Sequence, residues 1–220
     1  MARLARSDRA FIRLSPSGGA LVGVARKTRE ALLVCEAAAF DVVLVETVGV
    51  GQSETEVADM VDCFLVLMLP NAGDELQGIK RGIVELADLV AVTKADGALE
   101  PAAKVARQHY QSALALFTPR EPCWRPEVLT ISARTGAGLD ELFERVEAMK
   151  AALSEAGRLE ALRAEQALRW MWRAVDAELR RRLRDRGDVR ALAAELEAEV
   201  RAGAIPPTAA AARILARFLG

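Results

Sequence analysis

The chain has 220 residues with 30 basic and 31 acidic side chains, so its formal charge is −1 and its isoelectric point lies near 6.0. That balance excludes the chain-wide basic footprint of a nucleic-acid-binding domain. The 52% hydrophobic and 28% charged content excludes global disorder, and with only 5% aromatics the core must be built from Val, Leu, Ile and Ala.

The N-terminus, Met-Ala-Arg-Leu-Ala-Arg-Ser-Asp, has no apolar h-region, so no signal peptide is expected. Residues 24–38 form a helical pattern with Leu32, Cys35 and Ala39 on one stripe. Four short apolar runs then recur: Asp41–Glu46, Cys63–Pro70, Leu89–Lys94 and Glu127–Ser132. They do not alternate apolar and polar residues, which suits strands buried on both faces of a parallel sheet. Helical patterns lie between and after them. Residues 74–87 place Leu76, Ile79, Ile83 and Leu86 at steps of three and four. Residues 101–117 follow, then a loop marked by Pro119, Pro122 and Pro126. Residues 139–153 carry Leu139, Leu142, Phe143, Val146 and Met149. Strand–helix alternation at this spacing predicts an α/β fold with a doubly wound, mainly parallel sheet.

Beyond about residue 155 the strand signal stops. Residues 157–202 read as long helix broken near Gly187, with a stripe of Leu168, Met171, Trp172, Val175, Leu179 and Leu183 continued by Leu192, Leu196 and Val200. Gly203 and Pro206-Pro207 end it, and Thr208 opens a last helix carrying Ile214, Leu215 and Phe218. The expected organisation is a sheet domain over 1–156 and a C-terminal α-helical arm over 157–220. Cys35, Cys63 and Cys123 form no CxxC and are odd in number, which predicts reduced, buried thiols. The longest apolar run, Phe64 to Pro70, is far short of the about 20 residues a membrane helix needs. A soluble, cytoplasmic protein without a membrane span is the expectation.

In doubly wound sheets ligands bind beyond the carboxyl ends of the strands, so the residues after each run matter most. The first run ends Glu46-Thr-Val-Gly49-Val-Gly51-Gln52-Ser53. An acidic residue there can hold Mg²⁺ directly or through water, and a glycine three residues on lets a backbone N–H approach a terminal phosphate. The same string also reads as an ordinary strand-to-helix turn. The third run ends Thr93-Lys94-Ala95-Asp96, which resembles the Asn/Thr-Lys-x-Asp guanine motif. A carboxylate at Asp96 can accept from guanine N1–H and from the 2-amino group; adenine offers no matching donor pair. The stem of Lys94 can lie along the base. The fourth run ends Ser132-Ala133-Arg134-Thr135-Gly136, which resembles the loop whose backbone N–H meets guanine O6.

A longer resemblance runs from Phe40 to Gly97, FDVVLVETVGVGQSETEVADMVDCFLVLMLPNAGDELQGIKRGIVELADLVAVTKADG, with Ser15–Gly19, Arg26–Arg29 and the Trp170-Met-Trp172 helix. These strings resemble the MeaB/ArgK family, GTPases associated with methylmalonyl-CoA mutase. The resemblance implies a SIMIBI-class P-loop GTPase that binds GTP/GDP with Mg²⁺ and dimerises partly through its helical arm. It implies protection and cofactor gating of a cobalamin-dependent acyl-CoA mutase. Under it, Gly49, Thr93, Lys94, Asp96, Ser132, Ala133 and Arg134 serve GTP, Glu46 serves Mg²⁺, and Gln52 in the second switch orients water. Asp74, Glu75, Gln77 and Lys80 would form a switch facing the mutase.

The chain departs from that family in one large respect. The string G-x-x-x-x-G-K-[ST] does not occur. In Gly19–Thr28, Arg26 stands where the last glycine must be; Gly49–Ser53 lacks the lysine. Matched to the family, the chain starts after the phosphate loop, and its sheet is expected to lack at least the strand leading there. Two alternatives stand beside a GTPase: a non-hydrolysing module that binds mutase or a sister subunit, and a kinase linked to lysine/arginine/ornithine transport. His109 reads as a solvent-facing residue. The run Leu179–Arg186 alternates with Glu178, Asp185 and Asp188, and reads as a solvated or dimer-facing helix rather than a nucleic-acid site.

Overall fold

The structure, a computed structural model, describes residues 4–14, 21–47, 53–70 and 81–220. Its sheet holds three parallel strands among the described residues: β1 (Leu65–Met68), β2 (Leu89–Val92) and β3 (Glu127–Thr130), in the order β1-β2-β3. The ladders align Met68, Val92 and Thr130 in one row, so the loops that leave all three strands open at a single edge. Leu89, Val90, Ala91 and Val92 are all fully buried, as the unbroken apolar run of the central strand requires. The helices α1 (Leu21–Ala37) and α2 (Ser53–Ala58) precede β1, and α3 (Arg81–Val84) and α4 (Glu100–Leu114) connect successive strands. In α4, Ala103, Ala106, Tyr110 and Leu114 fall on one stripe and are buried. The expected α/β class with a parallel sheet is therefore present.

The expected strand over 41–46 is a correction. Those residues have no regular secondary structure, and Leu44 is 89% exposed. A parallel strand exists only through its ladders, and none of the described strands pairs with this segment. Local preference for an extended chain is present, but among the described residues no hydrogen-bonding partner covers it. Of the helix expected over 74–87, Arg81–Val84 is helical, and residues 71–80 lie outside the described residues. The stripe of α5 (Leu139–Glu155) is buried only at Met149 and Leu153, while Leu139 and Phe143 are exposed.

The two sheet edges are treated differently. On β3, α4 supplies side chains in place of a further strand: the Val128 N–H donates to Gln111 Oε1 at 3.0 Å, and Arg107 donates to the Val128 carbonyl at 2.9 Å. This satisfies backbone groups that an edge would otherwise present to other chains. On β1, Leu67 points outward and is 60% exposed.

Below the sheet's amino end lies a buried polar knot. Asp88 is almost wholly buried, accepts from the Phe64 N–H at 2.8 Å and from Arg120 at 2.5 Å. Arg120 also donates to the carbonyls of Ala58 and Asp62, at the exit of α2 (Ser53–Ala58). The same connection is gripped from α6 (Arg158–Asp185): Gln166 donates to the Val61 carbonyl at 2.9 Å and Arg163 pairs with Asp62. Burial pushes the Asp88 carboxyl up to about 6 despite the opposing Arg120 charge. Burial and then the Asp88 charge push the neighbouring Cys63 thiol up to about 12. Cys35, Cys63 and Cys123 are all free thiols and partly buried; the latter two pack with Trp124 against Met149, Leu153 and Leu159.

The chain divides into two compact units, Met1–Gln166 and Ala167–Gly220, with the division inside α6. In the second unit, α7 (Gly187–Arg201) and α8 (Pro207–Leu219) form a helical pair that buries Val189, Leu196 and Ala210. The expected α6 stripe exists as a stripe but is uncovered: Leu168, Trp172, Val175 and Leu179 are exposed. Among the described residues no helix is long and apolar enough to cross a membrane.

Candidate functional site

Two loops converge where β2 and β3 end. The first is Thr93–Asp96. Thr93 closes β2, its N–H and its hydroxyl both donating to the Met68 carbonyl at 2.8 and 3.0 Å. Lys94 follows with φ +56, in the left-handed region that residues with a Cβ seldom occupy. That turn is held on its far side by the Ala95 N–H, which donates to the Ile131 carbonyl at 3.0 Å. The reversal leaves Lys94 exposed and turns Asp96 toward the second loop.

The second loop is Ser132–Gly138. Ser132 is fully buried and its hydroxyl is used twice: it donates to Asp96 Oδ2 at 2.5 Å and accepts from the Thr135 N–H at 3.2 Å. The loop closes on itself through Ser132 N–H to Ala137 O and Gly136 N–H to Ser132 O, both 2.9 Å. Gly138, at φ +74, begins α5, and a Cβ there would overlap the Thr130 carbonyl oxygen. Arg134 lies across the rim, its Nε 3.6 Å from Asp96 Oδ1. Asp96 is thus a carboxylate aligned by a buried hydroxyl and flanked by a cation, with both oxygens near the loop surface. A cavity of about 440 Å³ opens beside it, lined by Asp96, Gly97, Glu100, Thr130, Thr135 and Gly138.

Of the residues singled out from sequence, the structure joins Asp96, Ser132 and Arg134 directly, and Thr93 and Lys94 through the backbone of the same loop. Ala133 is exposed between Ser132 and Arg134. Glu46 is exposed on the irregular segment and takes no part in that cluster. Gly49, Gln52, Asp74, Glu75, Gln77 and Lys80 lie outside the described residues. The donor set does not by itself make a Mg²⁺ site: among the described residues no three His, Cys, Asp or Glu side chains are grouped to hold a metal, and Glu46 is a single exposed carboxylate. Gly138 was not visible as a site residue from sequence. The available signal was the Gly136-Ala-Gly138 spacing just ahead of a helix with Asp140 and Glu141 in its first turn.

A parallel sheet with both loops beyond its carboxyl edge defines an α/β protein of the open-sheet kind that binds ligands past its strand ends, and the P-loop GTPase fold follows from its likeness to a solved structure. A solved structure titled as a LAO/AO transport system kinase superimposes with a TM-score of 0.80 at 38% identity, covering 99% of this chain and 68% of that one. The chain belongs to the family of methylmalonyl-CoA mutase-associated GTPases, MeaB, whose profile matches residues 1–188. A relative from Caulobacter vibrioides is 53% identical over 218 residues, which is 99% of this chain and 67% of its own length. The mouse protein named methylmalonic aciduria type A homolog, mitochondrial, is 44% identical over 99% of this chain and 52% of its own length. The chain therefore spans from about half to two thirds of the curated relatives it matches.

Proposed function

We propose that this chain recognises a guanine nucleotide through Asp96 and serves a GTPase cycle that controls a methylmalonyl-CoA mutase. The observation that supports it is the Ser132–Asp96 hydrogen bond at the shared carboxyl edge of β2 and β3. A carboxylate oxygen carries more than one lone pair, so accepting from Ser132 leaves Asp96 able to accept from guanine N1–H and the 2-amino group. The Lys94 stem offers an apolar surface for one face of the base, and the Ala133 N–H a donor for O6. Adenine would set its N1 acceptor against the carboxylate, a desolvated mismatch that disfavours it. Replacing Asp96 with Asn exchanges one acceptor for a donor. In equilibrium titrations this variant is expected to prefer xanthine over guanine nucleotides, and unchanged selectivity would count against this assignment of the loop.

The mutase partnership rests on membership of a family described as methylmalonyl-CoA mutase-associated, and the partner class proposed is a cobalamin-dependent acyl-CoA mutase. Self-association through α6 is part of the same reading, supported by its uncovered stripe of Leu168, Trp172, Val175 and Leu179. A second reading, an interaction module without turnover, is favoured by one fact: these 220 residues contain no G-x-x-x-x-G-K-[ST] string to cradle the phosphates. Capture of mutase by the chain with and without GDP separates the two. Nucleotide-dependent capture supports the first, and equal capture in both supports the second.

A further inference from the structure

One short stretch of backbone away from the two base loops is held by side chains from three distant elements. It is Ala58–Asp62, the connection that leaves α2. The Ala58 and Asp62 carbonyls accept from Arg120, before β3, at 2.8 and 3.3 Å. The Met60 carbonyl accepts from Arg29 of α1 at 3.3 Å, and the Val61 carbonyl from Gln166 of α6 at 2.9 Å. Arg163 of α6 adds a two-pronged pair to the Asp62 carboxylate at 2.9 and 2.6 Å. The helix that ends in this connection, α2, has six residues. An isolated helix needs about 12–15 to persist in water, so α2 depends on what holds its end. Its last turn closes through Asp59 N–H to Thr55 O and Met60 N–H to Val57 O, which places those bonds inside the gripped stretch. Among the holders, Arg120 is fixed in the core by Asp88. By contrast, α6 runs on past Gln166 into the uncovered stripe of Leu168, Trp172, Val175 and Leu179, and so is the holder that a partner can move. Gln166 is its decisive grip: the side chain is buried, and water does not replace a bond lost there. The Arg163–Asp62 pair is half exposed and contributes little alone.

We propose that the first half of α6 is a latch on α2: through Gln166, supported by Arg163, it sets how readily α2 opens. The chain enters α2 directly from the Glu46–Ser53 string, whose service to phosphate and Mg²⁺ rests on the nucleotide reading above. A partner that takes hold of α6 beyond Gln166 therefore acts on that string without touching it. Releasing the latch does not require opening the sheet, because β2 is held by its own ladders to β1 and β3. The two openings are separable: a latch governs the local opening of α2, whereas a general prop governs the global one.

The test is amide hydrogen exchange read by mass spectrometry, without nucleotide, on the whole chain and its Gln166→Met, Arg163→Met and Asp62→Asn variants. Methionine keeps an unbranched apolar stem and removes the donors. In Gln166→Met the amides of residues 54–62 are expected to exchange about tenfold faster, the size of one lost hydrogen bond, while those of β2 change less than about twofold. Arg163→Met is expected to speed the same amides about two- to threefold, as an exposed ion pair would. Coupling is reciprocal, so Asp62→Asn is expected to speed exchange over residues 158–166 by a similar two- to threefold. Gln166→Met with wild-type exchange over 54–62, or with β2 accelerated as much as α2, overturns the proposal. A wild-type chain whose 54–62 amides exchange at the unprotected rate also overturns it, since no latched state then exists. Should Gln166→Met fail to fold by circular dichroism, the two variants at the exposed pair decide: no change over 54–62 in the first and none over 158–166 in the second overturns the latch. These measurements use no nucleotide, so their failure leaves the guanine reading standing, and a chain that binds no GDP leaves the latch standing.

Discussion

Single residues at the candidate site are constrained in ways that their chemistry makes explicit. Gly138 is required twice over, by its positive φ and by the Thr130 carbonyl that occupies the space of a Cβ. Gly136 has a similar φ of +83 but open space around it. Gly138→Ala should therefore cost on the order of 3 kcal/mol, against about 1 kcal/mol of backbone strain alone for Gly136→Ala. Urea denaturation of the two variants measures this; equal losses would mean that the Thr130 approach restrains nothing. Asp96 and its serine partner were legible from the two motifs because both strings carry polar side chains at fixed offsets after a buried run. Gly138 was not, because the need for a missing Cβ arises from a strand end eight residues earlier in the chain.

At the scale of elements, the Asp88–Arg120 pair joins β2, the exit of α2 and the loop before β3. The folded carboxyl holds its proton up to about pH 6, whereas in the unfolded chain it releases it near 3.8. Its contribution to stability is thus fully present below the unfolded value and declines as the pH rises through 6, by on the order of 3 kcal/mol for a shift of this size. Arg120 limits that decline by facing the ionised form. Arg120→Leu should accordingly destabilise by about 3–5 kcal/mol at pH 7.5, where the buried carboxylate is left without its cation, and by less at pH 5, where the group is protonated and only the bonds to the Ala58 and Asp62 carbonyls are lost. Denaturation of wild type and variant at both pH values checks the sign; an equal loss at both would show that Asp88 stays ionised throughout. Nothing in the local sequence announces this pair, since Asp88 and Arg120 are 32 positions apart. The three described strands, by contrast, were readable from their continuous apolar runs. The 41–46 segment has the same kind of run and is not a strand, because composition specifies what a strand needs and not whether a neighbour is present to pair with it.

At the scale of the whole molecule, these 220 residues hold the two base-reading loops but no phosphate-loop string. A phosphate loop supplies backbone N–H donors, a lysine and a metal-binding hydroxyl, and no string for one occurs in these residues. The chain by itself is expected to bind GTP weakly and not to hydrolyse it; submicromolar affinity by isothermal titration would refute this. The exposed stripe on α6 leads to a second expectation. If a second copy covers it, Trp172→Asp lowers the association constant at least tenfold in sedimentation equilibrium and leaves the helical signal in circular dichroism unchanged. A wild-type chain that stays monomeric at high concentration removes the reading.

The sequence by itself determined the α/β class, the strand positions that carry ladders, the C-terminal run of helices and the two loop strings that follow β2 and β3. It could do so because period, apolar run length and short polar strings are local properties of the chain. Only the tertiary structure decided which apolar stripes are covered, which strand edge is blunted by Arg107 and Gln111, which buried charges meet at Arg120, and that Thr93 holds to Met68. Those outcomes depend on atoms brought together from distant positions, where a hydrogen bond or a buried charge acquires its energy from surroundings that no single stretch of sequence contains.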